Sequence, residues 1–366
     1  MEPTKSSLEL ISPRVYQSWS RCLRLGLDPG QRSAFGNIIG GSFLESRIEQ
    51  RAELIGLAAP IMNYFYSLVK GVGGVVVLAD RQGVIIHSIG DAEFMSKAER
   101  VLLKPGASWA ERHRGTNAIG TALEDGVPIA INGHEHFMRP NFFLSCSAVP
   151  VFDSIGNVAG VLNVSTDSRK YHPYISSLIS VAAHSLEKQL FFSRAASYFV
   201  TASIHPSPGG LGSISEGVLG LSEDGKIVAA NLTALKYLGI SHLELGSEKL
   251  QQIVDIKLED ILRYGRFRPE GYCTLRMYRG KEMAFQFALT GDKSTIFFDP
   301  KREAPLAEQF VQVPSIKKAE HTLKAISREI ALDALEAAKG NITKAARSLG
   351  ISRNTLYKYM RQESSK

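Results

Sequence analysis

Gly340-Asn-Ile-Thr-Lys-Ala-Ala-Arg-Ser-Leu-Gly-Ile-Ser-Arg-Asn-Thr-Leu-Tyr-Lys-Tyr-Met360 reads as two short helices joined by a tight turn. Asn341 is placed to cap the first helix by accepting a backbone N–H two or three residues on. Ile342, Ala345, Ala346 and Leu349 recur at helical spacing as a narrow apolar stripe, and the two alanines suit close helix approach. Gly350 falls where a left-handed residue usually ends a helix. Ile351 fills the corner, and Ser352 caps a second helix with Leu356 and Met360 facing inward. Its outward face carries Arg353, Asn354, Thr355, Tyr357, Lys358 and Arg361.

Two helices with a Gly-containing turn, the second rich in donors, fit a helix-turn-helix that lays a recognition helix in the major groove of double-stranded DNA. Arg353 and Asn354 stand at its N-terminal end, where Arg can read guanine and Asn adenine in bidentate fashion. Lys344, Arg347, Lys358 and Arg361 are assigned to phosphates, Thr343 adds a hydroxyl, and Ser352, Thr355 and Tyr357 complete the DNA-facing set. The alternative is a helical hairpin with a solvated basic face. Charge weighs against it: residues 314–366 hold 11 Lys and Arg against 5 Asp and Glu, so +6 of the chain's +7 sits on the last segment. Binding by counterion release needs such a concentration.

The segment 319–361 also resembles the Fis-type C-terminal domain of bacterial enhancer-binding activators. That resemblance implies a homodimer, with a preceding helix at 319–339 offering Leu323, Ile326, Ile330, Leu332 and Leu335 to the contact.

Length and composition set the frame for the rest. A chain of 366 residues has room for two or three domains, with ample apolar content for packed cores. No apolar run approaches the ~20 residues of a membrane span, and Met1-Glu-Pro-Thr-Lys-Ser-Ser lacks a signal-peptide core. Cys22, Cys146 and Cys273 are odd in number and widely spaced, which points to a reducing cytoplasm and no disulfide framework.

Upstream, the hydrophobic period changes from helix to strand. Residues 10–26 and 43–69 read as helices. Val75-Val-Val-Leu-Ala-Asp, a turn at Arg81-Gln-Gly and Val84-Ile-Ile-His-Ser read as a hairpin. Strands follow at 128–131, 147–152 and 158–164, with a turn at Asp153-Ser-Ile-Gly-Asn, and a helix at 174–199 closes the unit. This order predicts an α+β domain with an antiparallel sheet. "SWSRCLRLGLDP", "ERHRGTNAIGTALEDGVPIAINGHEHF" and "LSCSAVPVFDSIGNVAGVLNVS" resemble the GAF sensor of the regulators of acetoin and glycerol/dihydroxyacetone catabolism. One departure is Asn163, where that family more often carries Asp.

Residues 210–298 resemble a PAS module: Glu216-Gly-Val-Leu-Gly-Leu, a turn at Glu223-Asp-Gly-Lys, Ile227-Val-Ala-Ala-Asn and a helix from Ala234, with later strands at 271–277 and 284–289. The expected organisation is α+β and multidomain: an N-terminal helical segment (1–42), a GAF-type sensor (43–200), a PAS-like domain (209–298), a charged, Pro-interrupted linker (299–318) and an all-α Fis-type helix-turn-helix (319–366).

The resembling activators carry an ATPase between sensor and DNA reader, announced by G-x-x-x-x-G-K-[ST]. No such string occurs here, nor a GAFTGA-type loop for the alternative sigma factor, and the 20-residue linker has no room for an ATPase. The expectation is a cytoplasmic regulator, not an enzyme, without cofactor or resident metal, acting by repression, by recruiting RNA polymerase or by competing with a paralogous activator.

Candidate effector contacts are Arg112, Arg114, Thr116, Asn117, His134, His136 and Cys146. The run Arg112–Asn117 can face an anionic or polyol effector through charge-assisted bonds, or Thr116 or Asn117 can cap a helix. On a strand, His134 and His136 would share a face, but the pattern is not H-E-x-x-H and no third metal ligand follows at a telling distance, which favours a surface loop or a pocket wall. Cys146 opens a strand, where a buried structural thiol competes with a redox role. Two rival readings stay open: a redox- or metal-sensing GAF protein, and a partner that sequesters a related activator by heterodimerisation.

Overall fold

The computed structural model describes residues 12–30, 38–70, 73–170, 172–267, 271–289, 335 and 341–348. The chain divides into two compact units, Met1–Phe298 and Asp299–Lys366.

The larger unit contains two five-stranded antiparallel sheets. The first is built from β1 (Gly74–Asp80), β2 (Ile85–Gly90), β3 (Ile129–Asn132), β4 (Leu144–Phe152) and β5 (Val158–Asp167), in the order β2-β1-β5-β4-β3. Every residue of β1 is buried. Its unbroken run Val75–Ala79 therefore reports a strand covered on both faces, where alternation is not required. Asp80 holds the β1–β2 turn, its Oδ1 accepting the N–H groups of Gln82 and Val84, while Arg47 pairs with its other oxygen at 2.7 Å. Gly83, at φ +79°, supplies the left-handed residue that the turn needs.

Side-chain alternation divides the sheet into two cores. Val76, Leu78, Leu162, Val164, Val149 and Val151 face α3 (Ala52–Val69) and α7 (Tyr174–Ser193). The stripe Leu54, Ala58, Met62, Phe65 and Val69 seats α3 on this face. The helix expected over 43–69 is two helices, α2 (Gly41–Gln50) and α3, because Arg51 leaves helical geometry between them. The expectation that no run approaches a membrane span needs the same correction. With 18 residues and a mean hydropathy of 1.2, α3 is long and apolar enough by length and composition, although its buried stripe packs on the sheet.

On the opposite face, Val75, Val77, Ala79, Val161, Cys146 and Ala148 meet Val15 of α1 (Pro13–Arg24), Phe94 and Ala98 of α4 (Ala92–Glu99), Trp109, and Ala118, Ile119 and Ala122 of α6 (Ala118–Asp125). The one-turn helix α5 (Glu111–Arg114) leads into α6. Gly120 lets α6 sit directly on this chain, since a Cβ there would lie 2.5 Å from the Glu111 nitrogen.

Helix α7 ends at Ser193, short of the expected Phe199. The chain then enters the second sheet as its central strand, β6 (Val200–His205), in the order β8-β7-β6-β10-β9. The other strands are β7 (Gly217–Leu221), β8 (Ile227–Ala230), β9 (Cys273–Arg276) and β10 (Glu282–Leu289). The second sheet thus draws on residues upstream of 209. Val200, Ala202, Ile204, Leu219, Phe285 and Phe287 form its core under α8 (Leu232–Leu238) and α9 (Leu258–Phe267). Asn231 caps α8 by accepting the Ala234 N–H at 2.8 Å.

Gly220-Leu-Ser-Glu-Asp-Gly-Lys-Ile227 comes within one residue of a phosphate-cradling loop. It forms the β7–β8 hairpin turn, with Lys226 paired to Asp224, and not the strand-to-helix turn that such a loop requires. The first sheet touches the second through the β4–β5 turn. Ser154 accepts the Ala230 N–H on its carbonyl at 2.8 Å, and its hydroxyl meets the Tyr198 hydroxyl at 2.9 Å.

In the C-terminal unit, α10 (Ile342–Ser348) is capped by Asn341, whose Oδ1 accepts the Lys344 N–H at 3.0 Å. Ala346 is buried and Ile342 half-buried, as the narrow apolar stripe requires.

Candidate functional site

Two regions hold the residues singled out in the sequence. On α10, Thr343 and Lys344 are exposed, and Arg347 lies within the helix. Ser352, Arg353, Asn354, Thr355, Tyr357, Lys358 and Arg361 lie outside the described residues, as does most of the expected helix at 319–339.

The second region lies over the face of the first sheet that carries Cys146 and Asn163. Here α1 docks through a buried polar cluster. Arg21 donates to Glu111 through Nε at 2.6 Å and Nη2 at 3.1 Å, and reaches Asp125 at 3.0 Å. The Ser18 hydroxyl donates to Glu111, lies 2.7 Å from that of Thr116, and the Thr121 hydroxyl donates to Glu111 at 3.0 Å. The Glu111 carboxylate raises the pKa of Arg21 further above its ordinary value. Thr116 is thereby a structural member of this cluster, also 3.5 Å from the Cys22 thiol.

Asn117 is committed as well. Its Oδ1 accepts the Gly120 N–H at 2.9 Å, capping α6, and its amide donates to the carbonyls of Trp109 and Gly115 at 2.9 and 2.8 Å. Every hydrogen-bonding atom of that side chain faces the protein, so the capping alternative describes this position. Arg112 is exposed and donates from Nε to the neighbouring His113 at 3.3 Å.

The two histidines do not share a face. Residues Gly133–Glu135 form a single 3-10 turn, with Glu135 accepting the Asn132 N–H at 2.7 Å. Gly133, at φ +49°, breaks the strand that would have aligned them. His134 is exposed against Phe142, with ring centroids 4.4 Å apart. His136 is buried and donates from Nδ1 to the Gly133 carbonyl at 3.0 Å, which leaves Nε2 an acceptor without a partner. Burial pushes its pKa down to about 4, so it is neutral at physiological pH. Among the described residues, no group of three or more His, Cys, Asp or Glu side chains is arranged to hold a metal ion.

Burial pushes the Cys146 thiol up to about 12 and opposes thiolate formation, despite its contact with Ser165 at 3.0 Å. A protonated, inaccessible thiol is a poor nucleophile, so the geometry favours a structural role. Asn163, on the same sheet face, donates to Ser165 at 2.9 Å while its carbonyl oxygen is buried without a partner.

Arg114 stands apart. Its side chain is buried under the rest of the protein, with the guanidinium 5.4 Å from the Trp109 ring centroid. Among the described residues its Nε has no hydrogen-bond partner, and burial lowers its pKa. Asn141 Nδ2 is another buried donor left unpaired. Sequence reasoning missed the Ser18–Arg21–Glu111 cluster, because its members lie some 90 residues apart with no local pattern linking them.

Comparison with known proteins finds matches to two separate stretches of the chain. Residues 11–188 match the family described as MimR, N-terminal domain, and residues 322–362 match the bacterial regulatory protein, Fis family. The acetoin dehydrogenase operon transcriptional activator AcoR of Bacillus subtilis is 28% identical over 180 residues, covering 49% of this chain and 30% of that protein. The acetoin catabolism regulatory protein of Cupriavidus necator is 29% identical over 265 residues, covering 70% of this chain and 39% of that protein. The chain thus spans about a third of the length of these curated relatives. Among solved structures, the complex of Escherichia coli DhaR(N) with DhaL aligns with a TM-score of 0.48 at 14% identity, over 75% of this chain and 99% of that one.

Proposed function

We propose that this chain, related over its first half to transcriptional regulators of acetoin catabolism, is a DNA-binding regulator that reads a promoter with its Fis-type tail and senses a metabolite or partner protein with the rest. The observation that carries this reading is the coincidence, in residues 314–366, of a Fis-family match, a capped helix with exposed Thr343 and Lys344, and +6 of the chain's +7 charge. A cationic helix pair of this kind gains its affinity by displacing counterions from phosphates, and gains specificity from the few side chains that reach base edges. Arg353 and Asn354 are assigned the base edges, and Lys344, Arg347, Lys358 and Arg361 the backbone.

The first sheet, with order β2-β1-β5-β4-β3 and helices on both faces, supports a GAF-type reading, and the second a PAS-like one. In a homodimer, two tails would address half-sites about one helical turn, ~34 Å, apart. Ligand occupancy of the sensor half would act by favouring one of two arrangements of the tails. The sequence holds no phosphate-cradling loop, so control is proposed to work through occupancy of DNA and not through ATP hydrolysis.

The test is footprinting of genomic fragments selected by the full chain, combined with an ATPase assay. Protection of paired half-sites without nucleotide turnover supports the reading. Absence of any protected site, or ATP hydrolysis at an appreciable rate, refutes it.

A further inference from the structure

Arg114 is a buried cation, and among the described residues no acid pairs with it. The nearest carboxylate in sequence, Glu111, is taken by Arg21, Ser18 and Thr121. Contact with the Trp109 face offsets only part of the cost of burying a guanidinium. A fold that keeps such a group has a reason to keep it, and an incoming counter-ion supplies one.

The surrounding chain narrows the chemistry. The Phe137 N–H donates to the Thr116 carbonyl at 3.1 Å, and the Phe137 side chain lies against Gly115, which has no Cβ to obstruct it. Arg114 and His136 therefore flank one crossing of two segments. His136 is fully buried with Nε2 free to accept, and Asn141, on the same segment, has a free buried donor. A ligand matching these groups carries a negative oxygen for the guanidinium and a hydroxyl that donates to the imidazole.

We propose that Arg114 and His136 form a binding site for a small hydroxylated oxyanion, a hydroxy acid or a hydroxyalkyl phosphate, with Arg114 holding the oxyanion and His136 the hydroxyl. The proposal rests on the sensor reading only in calling this ligand the effector. Binding is measured without DNA, so either reading can fail while the other stands.

The experiment is calorimetry and thermal unfolding of the full chain with seven probes. Lactate, glycerate and glycerol 3-phosphate carry both groups, propionate and propyl phosphate carry the charge without the alcohol, and glycerol and acetoin carry the hydroxyl alone. At least one of the first three binds with Kd below ~1 mM and more tightly than its partner lacking the hydroxyl. A carboxylate preference and a phosphate preference distinguish the two ligand sources. Arg114→Met lowers that affinity roughly tenfold or more, while leaving the Tm of the ligand-free protein unchanged or higher because an uncompensated charge is gone. His136→Phe abolishes the preference for the hydroxylated probe over its partner while retaining binding of the anion. The proposal is overturned if none of the charged probes binds at ~10 mM, or if Arg114→Met leaves probe affinity as it was.

Discussion

Arg21 forks onto Glu111, Nε to Oε2 at 2.6 Å and Nη2 to Oε1 at 3.1 Å, and so fastens α1 to the start of α5 across 90 residues of chain. Glu111 is almost fully buried, whereas Arg21 keeps about a quarter of its side chain in solvent. Removing the acid strands three donors at once. Glu111→Ala is expected to destabilise the protein by roughly 3–5 kcal/mol, because it breaks a buried pair from one side. Urea unfolding measures it. A cost below about 1 kcal/mol would mean that α1 is only loosely docked.

Glu187 gives the larger unit a defined pH response. Burial pushes its carboxyl up to about 7, although it accepts the Phe152 N–H at 3.0 Å and feels the charge of Lys236. An acid whose folded pKa lies above its unfolded value is favoured while protonated. Its contribution is most favourable below about pH 4.5 and is lost as pH rises to about 7, by up to about 3 kcal/mol. His136 and His184, both depressed by burial, act in the opposite sense as pH falls below about 6.5. The expected observation is therefore a difference: Glu187→Gln gains stability over the wild type between pH 5 and 7. Parallel stability curves for the two proteins would rule this out.

Cys146 should not react. Its thiol is buried and pushed up to about 12, so a thiol reagent at pH 8 is expected to leave it unmodified until the protein unfolds. Mapping the labelled cysteines by mass spectrometry decides the matter. Rapid native labelling of Cys146 would revive a redox role.

The capped helix of the tail gives two separable effects. Asn341→Ala removes the acceptor for the Lys344 N–H and should destabilise the helix by about 1 kcal/mol. Lys344→Ala should weaken binding about equally on all DNA sequences and reduce the slope of log K against log salt by about one. A change in sequence preference instead would place Lys344 on a base edge.

Where one segment carries its own instructions, the sequence was legible. Asn341 and Asn117 sit one residue ahead of helical stripes and cap them, and Arg81-Gln-Gly turns a hairpin whose strands are runs of β-branched residues. Long-range facts were not legible. Nothing local says that Arg21 meets Glu111, or that Val200–His205 becomes the central strand of the second sheet. The strand on which His134 and His136 would share a face does not form there, since Gly133 and the Asn132–Glu135 cap make a 3-10 turn. No apolar run was expected to approach a membrane span, yet the 18 residues of α3 pass by length and composition, and its buried stripe packs on a sheet. The unpaired guanidinium of Arg114 was visible only once its neighbours were placed, because a sequence shows a charge but not the absence of its counter-ion.

The central claim is that the basic tail binds DNA. Its most direct test is fluorescence anisotropy of selected genomic fragments, titrated across ionic strength with the full chain and with a chain ended after Pro314. The full chain should bind with log K falling linearly in log salt, and the shortened chain should lose binding at every salt concentration. Equal affinity of the two chains, or binding that ignores salt, would contradict the account.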